Sequence, residues 1–392
     1  MADGASDAFR STALTLTGSL SQACTVTFAP NTISNVWVVQ NSAGNTVTIS
    51  QGTGANVVIP NGGIRMVATD GAGSGAAVTD VLDVLGGTGN VGLGSGAFGT
   101  GLTTGTDNVA IGEAAGDALT SGSDNTFVGD NAGGATTTSS NNVAIGSGAL
   151  LVNSTGGENT AVGMTALTAN TTASNGTAIG TAALATNTTG ADNTGLGRAA
   201  LEANSTGDNN TAVGSRTLDS NTTADNNTAV GYAALGANTT GATNTAVGAL
   251  ALSTNTTSAN STAVGYNALG NSAGSFNTAV GSVALDNNTT GAANTGIGYN
   301  SLGANTTANN NTALGAYTLE DNTTGTALVA VGAGALKNNT TADNNVALGL
   351  DSLMTNTTGG NNVAIGKDAM KDSTTGASNT AVGHNALTAN TT

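Results

Sequence analysis

The chain has 392 residues, of which 8% are charged and 3% aromatic, with a net charge of −16 and only two prolines. Gly, Asn, Thr and Ala dominate, which excludes the two or three ordinary globular domains that such a length suggests. It also excludes a typical disordered chain, where low hydrophobicity comes with high charge and much proline.

The remaining bulk features narrow the partners. The acidic balance is spread thinly with no basic stripe for a phosphate backbone, so nucleic acid is not an expected partner. No apolar run approaches the roughly 18 residues of a membrane helix, so membrane insertion is not expected. Residues 1–10 read as a linker, and Met1 to Ser11 lack the basic-then-apolar layout of a secretory signal. Cys24 is the single cysteine, so no disulfide forms within the chain.

Residues 11–88 alternate β-rich runs with turn residues. Ala13-Leu14-Thr15-Leu16-Thr17, Cys24-Thr25-Val26-Thr27-Phe28, Val36-Trp37-Val38-Val39, Val47-Thr48-Ile49, Val57-Val58-Ile59 and Ile64-Arg65-Met66-Val67 are separated at hairpin-like spacing. Short strands at close intervals predict a small antiparallel β-sandwich or roll. Cys24, Trp37 and Phe28 belong to its core. The Gly- and Ala-rich stretch from Gly71 to Gly87 reads as a neck.

This segment also carries a resemblance. Ser6-Asp7-Ala8-Phe9-Arg10, Leu14-Thr15-Leu16-Thr17-Gly18, Val36-Trp37-Val38-Val39-Gln40-Asn41 and Ala68-Thr69-Asp70-Gly71 resemble a β module common in tail fibres of marine bacteriophages. The resemblance covers residues 6–84 and implies an attachment module that joins other virion proteins.

Residues 89–392 repeat. The five residues Asn159-Thr160-Ala161-Val162-Gly163 set the beat, and their closing glycine recurs from Gly94 to Gly383 in 18 copies, almost always 17 residues apart. A fixed short period predicts a parallel β-solenoid. The residue before the glycine is aliphatic in every copy, and the one before that is Ala or Gly except at Phe127. From Leu150 onward the fourth residue after the glycine is Leu, with Met370 as the one substitution. An Asn usually follows three residues later, then two hydroxyl residues such as Thr171-Thr172.

Strict strand alternation assigns these columns to faces. It puts Val162, Leu167, Ile179, Leu184, Val213, Leu218, Val247 and Leu252 in the coil core. The small columns Ala161, Ala166, Ala178, Ala183 and Ala212 then face outward, where strips of alanine meet other chains. About two buried aliphatic side chains per coil, worth roughly 2 kcal/mol each, fall short of the ordering entropy of a coil, about 1 kcal/mol or more per residue. A homo-oligomer is therefore expected. Gly163, Gly180, Gly214 and Gly231 turn sharp corners, and stacked Asn residues form ladders. At about 4.8 Å per coil the stack reaches roughly 80 Å.

Asn142-Val143-Ala144-Ile145-Gly146 and Asn362-Val363-Ala364-Ile365-Gly366 resemble the repeat of trimeric autotransporter adhesin heads. That resemblance covers residues 90–392 and implies a β-roll assembled as a homotrimer. The alternatives to a bacteriophage fibre are a trimeric bacterial surface adhesin and a monomeric ice-binding solenoid.

No catalytic, cofactor or metal residues emerge, and no enzyme activity is expected. Gly94-Ser95-Gly96-Ala97-Phe98-Gly99 matches a dinucleotide glycine pattern but falls on the repeat beat with no helix signal behind it. Gly360 to Lys367 is one residue too long for a phosphate loop. His384 is the lone histidine, so no histidine pair for a metal exists. Glu320-Asp321 reads as a solvated corner. Asp208, Asp225 and Asp343 sit at Asn-rich turns that could take a cation, yet the calcium-roll pattern is missing. Tyr232, Tyr266 and Tyr299 follow their corner glycines and are expected to project toward a host-surface glycan. The coil is cut short at Thr392 without the cap that solenoids need, so the gene is expected to continue. The expected location is the virion, after synthesis in the host cytoplasm.

Overall fold

The computed structural model describes residues 13–84, 89–99 and 101–388. The expected linker 1–10, the last residues of the neck and the cut-short final coil lie outside the described residues, in whole or in part. The fold is all-β; a 3-10 turn at Gly73–Gly75 is the only helical piece among the described residues. The chain forms two compact units, Met1–Thr172 and Ala173–Thr392.

The first unit begins with seven strands: β1 (Ala13–Thr17), β2 (Cys24–Thr27), β3 (Ser34–Ser42), β4 (Val47–Ser50), β5 (Val57–Ile59), β6 (Ile64–Asp70) and β7 (Val78–Val84). They are not all antiparallel, as hairpin-like spacing predicts. β1 pairs with β3 in parallel, Leu14 opposite Val39, and β2 pairs with β4 in parallel, Val26 opposite Ile49. The reason is that the chain changes sheet at each of these first turns, so each strand returns beside the one before last. Only then do hairpins appear, β4 with β5 and β6 with β7, and the non-consecutive pair β3 with β6 is also antiparallel. Period-2 alternation sends Trp37, Val39, Ile49, Ile59 and Val67 inward, where they form one core with Phe28. The Trp37 and Phe28 rings lie 5.0 Å apart, and Cys24 packs at the edge of this core, as expected for all three. Asn41 is buried but satisfied: its Nδ2 donates to the carbonyls of Asn45 and Ile59, and its Oδ1 accepts from the Ala43 N–H.

The rest of the chain is a parallel β-solenoid with one three-residue strand per coil. Five strands lie in the first unit, β8 (Val91–Leu93), β9 (Val109–Ile111), β10 (Thr126–Val128), β11 (Val143–Ile145) and β12 (Thr160–Val162). Thirteen lie in the second, from β13 (Thr177–Ile179) to β25 (Thr380–Val382). Like sits on like in register: Ala212 pairs with Ala229 and Val213 with Val230, and so on along the stack. Among the described residues every coil carries its strand on the predicted beat.

The facing of the columns is the reverse of the strand-alternation expectation. Ala161, Ala166, Ala178, Ala183 and Ala212 are fully buried inside the coil. Val162, Ile179, Val213 and Val247 point outward; Ile179 and Val247 remain 38% and 37% exposed. Width explains it. A β-carbon added at Gly195, which stands in the alanine column, would lie 3.4 Å from Leu184 Cγ and 3.1 Å from the Ala200 carbonyl oxygen. Between the strand and the opposite wall there is room for one methyl group, so alanine goes in and the β-branched neighbour goes out.

The leucines keep their predicted place: Leu167, Leu184, Leu218 and Leu252 are fully buried. They share the interior with the small residues that precede them, Ala166, Ala183, Thr217 and Ala251, because this segment is not a strand. Each leucine has a left-handed backbone, with φ of 50° at Leu167 and 51° at Leu218, and such a turn lets consecutive side chains face the same way. The corner glycines also hold their assignment. Gly163, Gly180, Gly214 and Gly231 have φ between 131° and 136°. A β-carbon on Gly231 would come within 2.6 Å of the Gly248 carbonyl carbon, so both angle and space demand glycine.

Two buried asparagine columns complete the interior. In one, containing Asn204, Asn221, Asn238 and Asn255, each Nδ2 donates to the Oδ1 of the residue one coil earlier, at 2.8 to 3.1 Å. The same Nδ2 also donates within its coil, as Asn238 does to the Gly241 carbonyl at 3.0 Å. In the other column, containing Asn210, Asn227 and Asn244, each Oδ1 accepts the backbone N–H of the next coil's residue at 2.9 to 3.0 Å. Its Nδ2 crosses the coil to a carbonyl, as Asn227 does to Gly241 at 2.9 Å. Burial of these amides is tolerated because their donors and acceptors find partners.

The β10 coil departs from this plan and compensates. Phe127 occupies the alanine column and is fully buried. The leucine positions beside it are Gly116 and Gly133, where an added β-carbon would fall 2.7 and 2.6 Å from the Phe127 ring. The ring takes the volume that two leucines fill elsewhere.

Candidate functional site

With the interior accounted for, the places left for chemistry among the described residues are the outward columns and the first module. The first outward feature is the strand face. The residues at the two ends of each strand, Thr228 and Val230 for example, project to the outside while Ala229 projects in. Over the thirteen strands of the second unit this face carries only Thr, Val, Ile and Leu. Leu196, Val230, Leu314, Leu348 and Ile365 are all exposed on it. An uncharged, largely β-branched, water-facing strip of this kind is a candidate contact surface. Sequence reasoning missed it because it assigned these side chains to the core.

A second column follows the corner glycines. Tyr232, Tyr266 and Tyr299 are 56%, 56% and 50% exposed, so they project as expected. Tyr299 meets the ring of Tyr317 edge-on at 5.2 Å, and Lys337 Nζ lies 5.3 Å from the Tyr317 centroid. Lys337 also pairs with Glu320 at 3.2 Å, and Glu320 accepts a hydrogen bond from Asn300 Nδ2 at 2.7 Å. Glu320 is thus a paired surface residue and not the open solvated corner expected from the sequence.

The aspartates at the Asn-rich turns have a structural task. Asp225 Oδ1 accepts the backbone N–H of Asp208, Asp208 Oδ1 accepts that of Ala191, and Asp343 Oδ1 accepts that of Thr326, all at 2.7 Å. Each carboxylate stitches its coil to the one before. Among the described residues no group of three His, Cys, Asp or Glu is placed to hold a metal ion. His384, the single histidine, is exposed.

Carboxylate energetics follow from local surroundings. Burial pushes Asp219 and Asp286 above the ordinary aspartate value; for Asp219 the nearby Arg216 guanidinium opposes the shift. A hydrogen bond from Lys371, 3.1 Å away, holds Asp368 below it, and the same bond raises Lys371.

The first module has a cavity of about 360 Å³ lined by Phe28, Ala29, Pro30, Ile33, Asn35, Trp37 and Gln51. Its polar side chains are occupied in part: Gln51 donates to the Ile33 carbonyl and accepts from the Gly71 N–H. No nucleophile, acid or base lines it.

The glycine pattern at Gly94–Gly99 lies in the turn after β8, and no helix follows it. No helix among the described residues is long and apolar enough to cross a membrane. Comparison with protein-family models, with curated proteins and with solved structures finds no match.

Proposed function

We propose that the chain is a non-enzymatic structural protein, the shaft of a bacteriophage tail fibre. It assembles as a homotrimer, joins other virion proteins through its N-terminal module, and contributes to attachment at a host-surface glycan. The observation that carries this reading is the outward Thr/Val/Ile/Leu strip. Covering the exposed remainder of one aliphatic side chain per coil is worth about 1 kcal/mol. Repeated over the thirteen strands of the second unit, the sum is on the order of 10 kcal/mol, enough to offset a typical cost of association. The strip also selects its partner. Its side chains recur once per coil, and a second copy of this chain offers the same recurrence. The trimer, and the fibre, rest further on the resemblance of both segments to proteins built that way.

This replaces alanine with the β-branched residues as the contact surface and leaves the homo-oligomer standing. Light scattering tests it: the molar mass is expected at three times the 37.2 kDa of one chain. Replacing Val230, Val247 and Val264 together with lysine is expected to split the assembly. A monomeric mass for the unaltered chain overturns the reading. Immunogold labelling of purified particles tests the location, and unlabelled appendages count against a virion fibre.

The ice-binding alternative draws on the same strip, since Thr228 and Val230 stand on one face two residues apart. The paired threonines serve it poorly, because the first of most pairs is engaged: Thr239 Oγ1 donates to the Thr256 carbonyl at 3.0 Å, and Thr222, Thr306 and Thr340 do the same one coil on. A monomer that inhibits ice recrystallisation would select that alternative.

A further inference from the structure

The column after the corner glycine alternates in size. In successive coils it reads Ser215, Tyr232, Ala249, Tyr266, Ser282, Tyr299, Ala316. Strand pairing carries this stretch in unbroken register from Val213 to Leu314, through the one 16-residue coil between Gly265 and Gly281. Each tyrosine therefore has an Ala or Ser in the coil on either side. Three half-exposed rings stand in a row, two coils apart, which is roughly 9.5 Å, and no bulky neighbour in the column stands between them.

The backbone holds this spacing firmly. The carbonyls of Tyr232, Tyr266 and Tyr299 accept N–H groups from Leu250, Val283 and Tyr317 of the following coils at 2.9 to 3.0 Å. Within the row there is little charge: from Tyr232 to Tyr299 the only ionisable residue besides the tyrosines is Asp286. Charges flank its two ends, Arg216 one coil before Tyr232 and the Lys337–Glu320 pair beside the Tyr317 ring that meets Tyr299. Polar neighbours are amides and hydroxyls, with Asn267 and Asn300 directly after two of the tyrosines.

A tyrosine ring packs against the C–H face of a pyranose, and its hydroxyl bonds to sugar hydroxyls. In an extended β-1,4-linked chain successive sugars are flipped, so the same face returns once per disaccharide, a repeat close to two coils of this stack. We infer that the tyrosine column binds an extended, uncharged β-linked polysaccharide lying along the stack, one disaccharide per two coils. The inference deepens the host-glycan part of the reading above and rests on that part, not on the trimer. A charged polymer lacks a counter-charge along the middle of the row, and a flexible α-linked one lacks the repeat.

The test is calorimetric titration of the full chain with cello-oligosaccharides and N-acetylated chito-oligosaccharides of increasing length. Affinity for at least one series is expected to rise in steps of two sugars. Tyr266→Ala is expected to lose about tenfold, the worth of one aromatic contact, while Tyr266→Phe retains most of the binding. The double variant Tyr266→Ala, Ala249→Tyr keeps three rings but breaks their spacing, and is expected not to recover the loss. Binding of neither series, equal binding by Tyr266→Ala, or full recovery in the double variant overturns the inference. Melting curves confirm that each variant is folded. Light scattering on the same samples separates the two readings: a trimer that binds no neutral oligosaccharide removes this inference alone, whereas a monomer that binds them removes the fibre and leaves the site.

Discussion

The first module and the solenoid solve the same problem with opposite materials. In the module two sheets are held apart by bulky side chains, with Phe28, Trp37, Ile49, Ile59 and Val67 filling the gap. In the coil the walls are so close that one methyl and one leucine fill the apolar part, and the remaining width is spanned by asparagine. An amide can live there because the narrowness that excludes larger apolar groups brings backbone carbonyls within its reach. The contrast teaches that a β interior need not be oily. It needs either volume or a saturated set of hydrogen bonds, and the spacing between walls decides which.

The largest effect expected from breaking this contrast is in the module. Trp37→Ala removes the biggest side chain from a core that depends on volume, and a loss of about 3–5 kcal/mol is expected. Hydrogen exchange is expected to report it in residues 13–84, with the second unit unchanged. In the coil, the volume test is sharpest beside Phe127. Gly133→Leu is expected to cost up to about 3 kcal/mol by overpacking against Phe127. Backbone strain is not the cause, since Leu150 already adopts φ of 53° one coil on, close to the 63° of Gly133. Chemical denaturation of the triple variant Phe127→Ala, Gly116→Leu, Gly133→Leu is expected to recover most of the loss; no recovery would mean that the ring and the two glycines are not coupled. The smallest effect belongs to the ladder. Asn238→Ala removes the donor to Asn221 Oδ1 and the acceptor for Asn255 Nδ2, costing about 1–2 kcal/mol. Because each coil touches only its neighbours, the added exchange is expected to stay within the adjacent coils.

Much of this architecture was readable from letters alone. Repetition made the period, the corner glycines and the buried Leu184 column plain, since a rule seen in copy after copy averages out local noise. The facing of Ala178 and Ile179 was not readable. Alternation says that they differ and hydrophobicity says which should be inside, but the width of the coil overrules hydrophobicity. The same alternation failed at Ala183-Leu184 because a left-handed turn lies there. The first asparagine of the repeat, Asn210 or Asn227, was visible as a letter, yet its ladder became evident only when the coil closed around it. A signal was available for Phe127: the two leucine positions beside it are glycine, and the coincidence marks shared volume. Parallel pairing of β1 with β3 had no such signal, because turn spacing does not tell whether a chain stays in its sheet or crosses to the other. The tyrosine row was legible as residues, but its two-coil rhythm needed the register of the strands.

The short coil between Gly265 and Gly281 carries a lesson about heredity. Its missing residue falls in the Asn-Thr-Thr corner, where Ser272 and Ala273 replace the usual three, and the strands on either side still pair in register. Neighbouring segments of the gene are near copies of one another, so misaligned recombination can add or drop a whole coil while leaving every remaining contact a familiar one. Length in such a molecule is an adjustable trait, open to selection without the invention of any new packing.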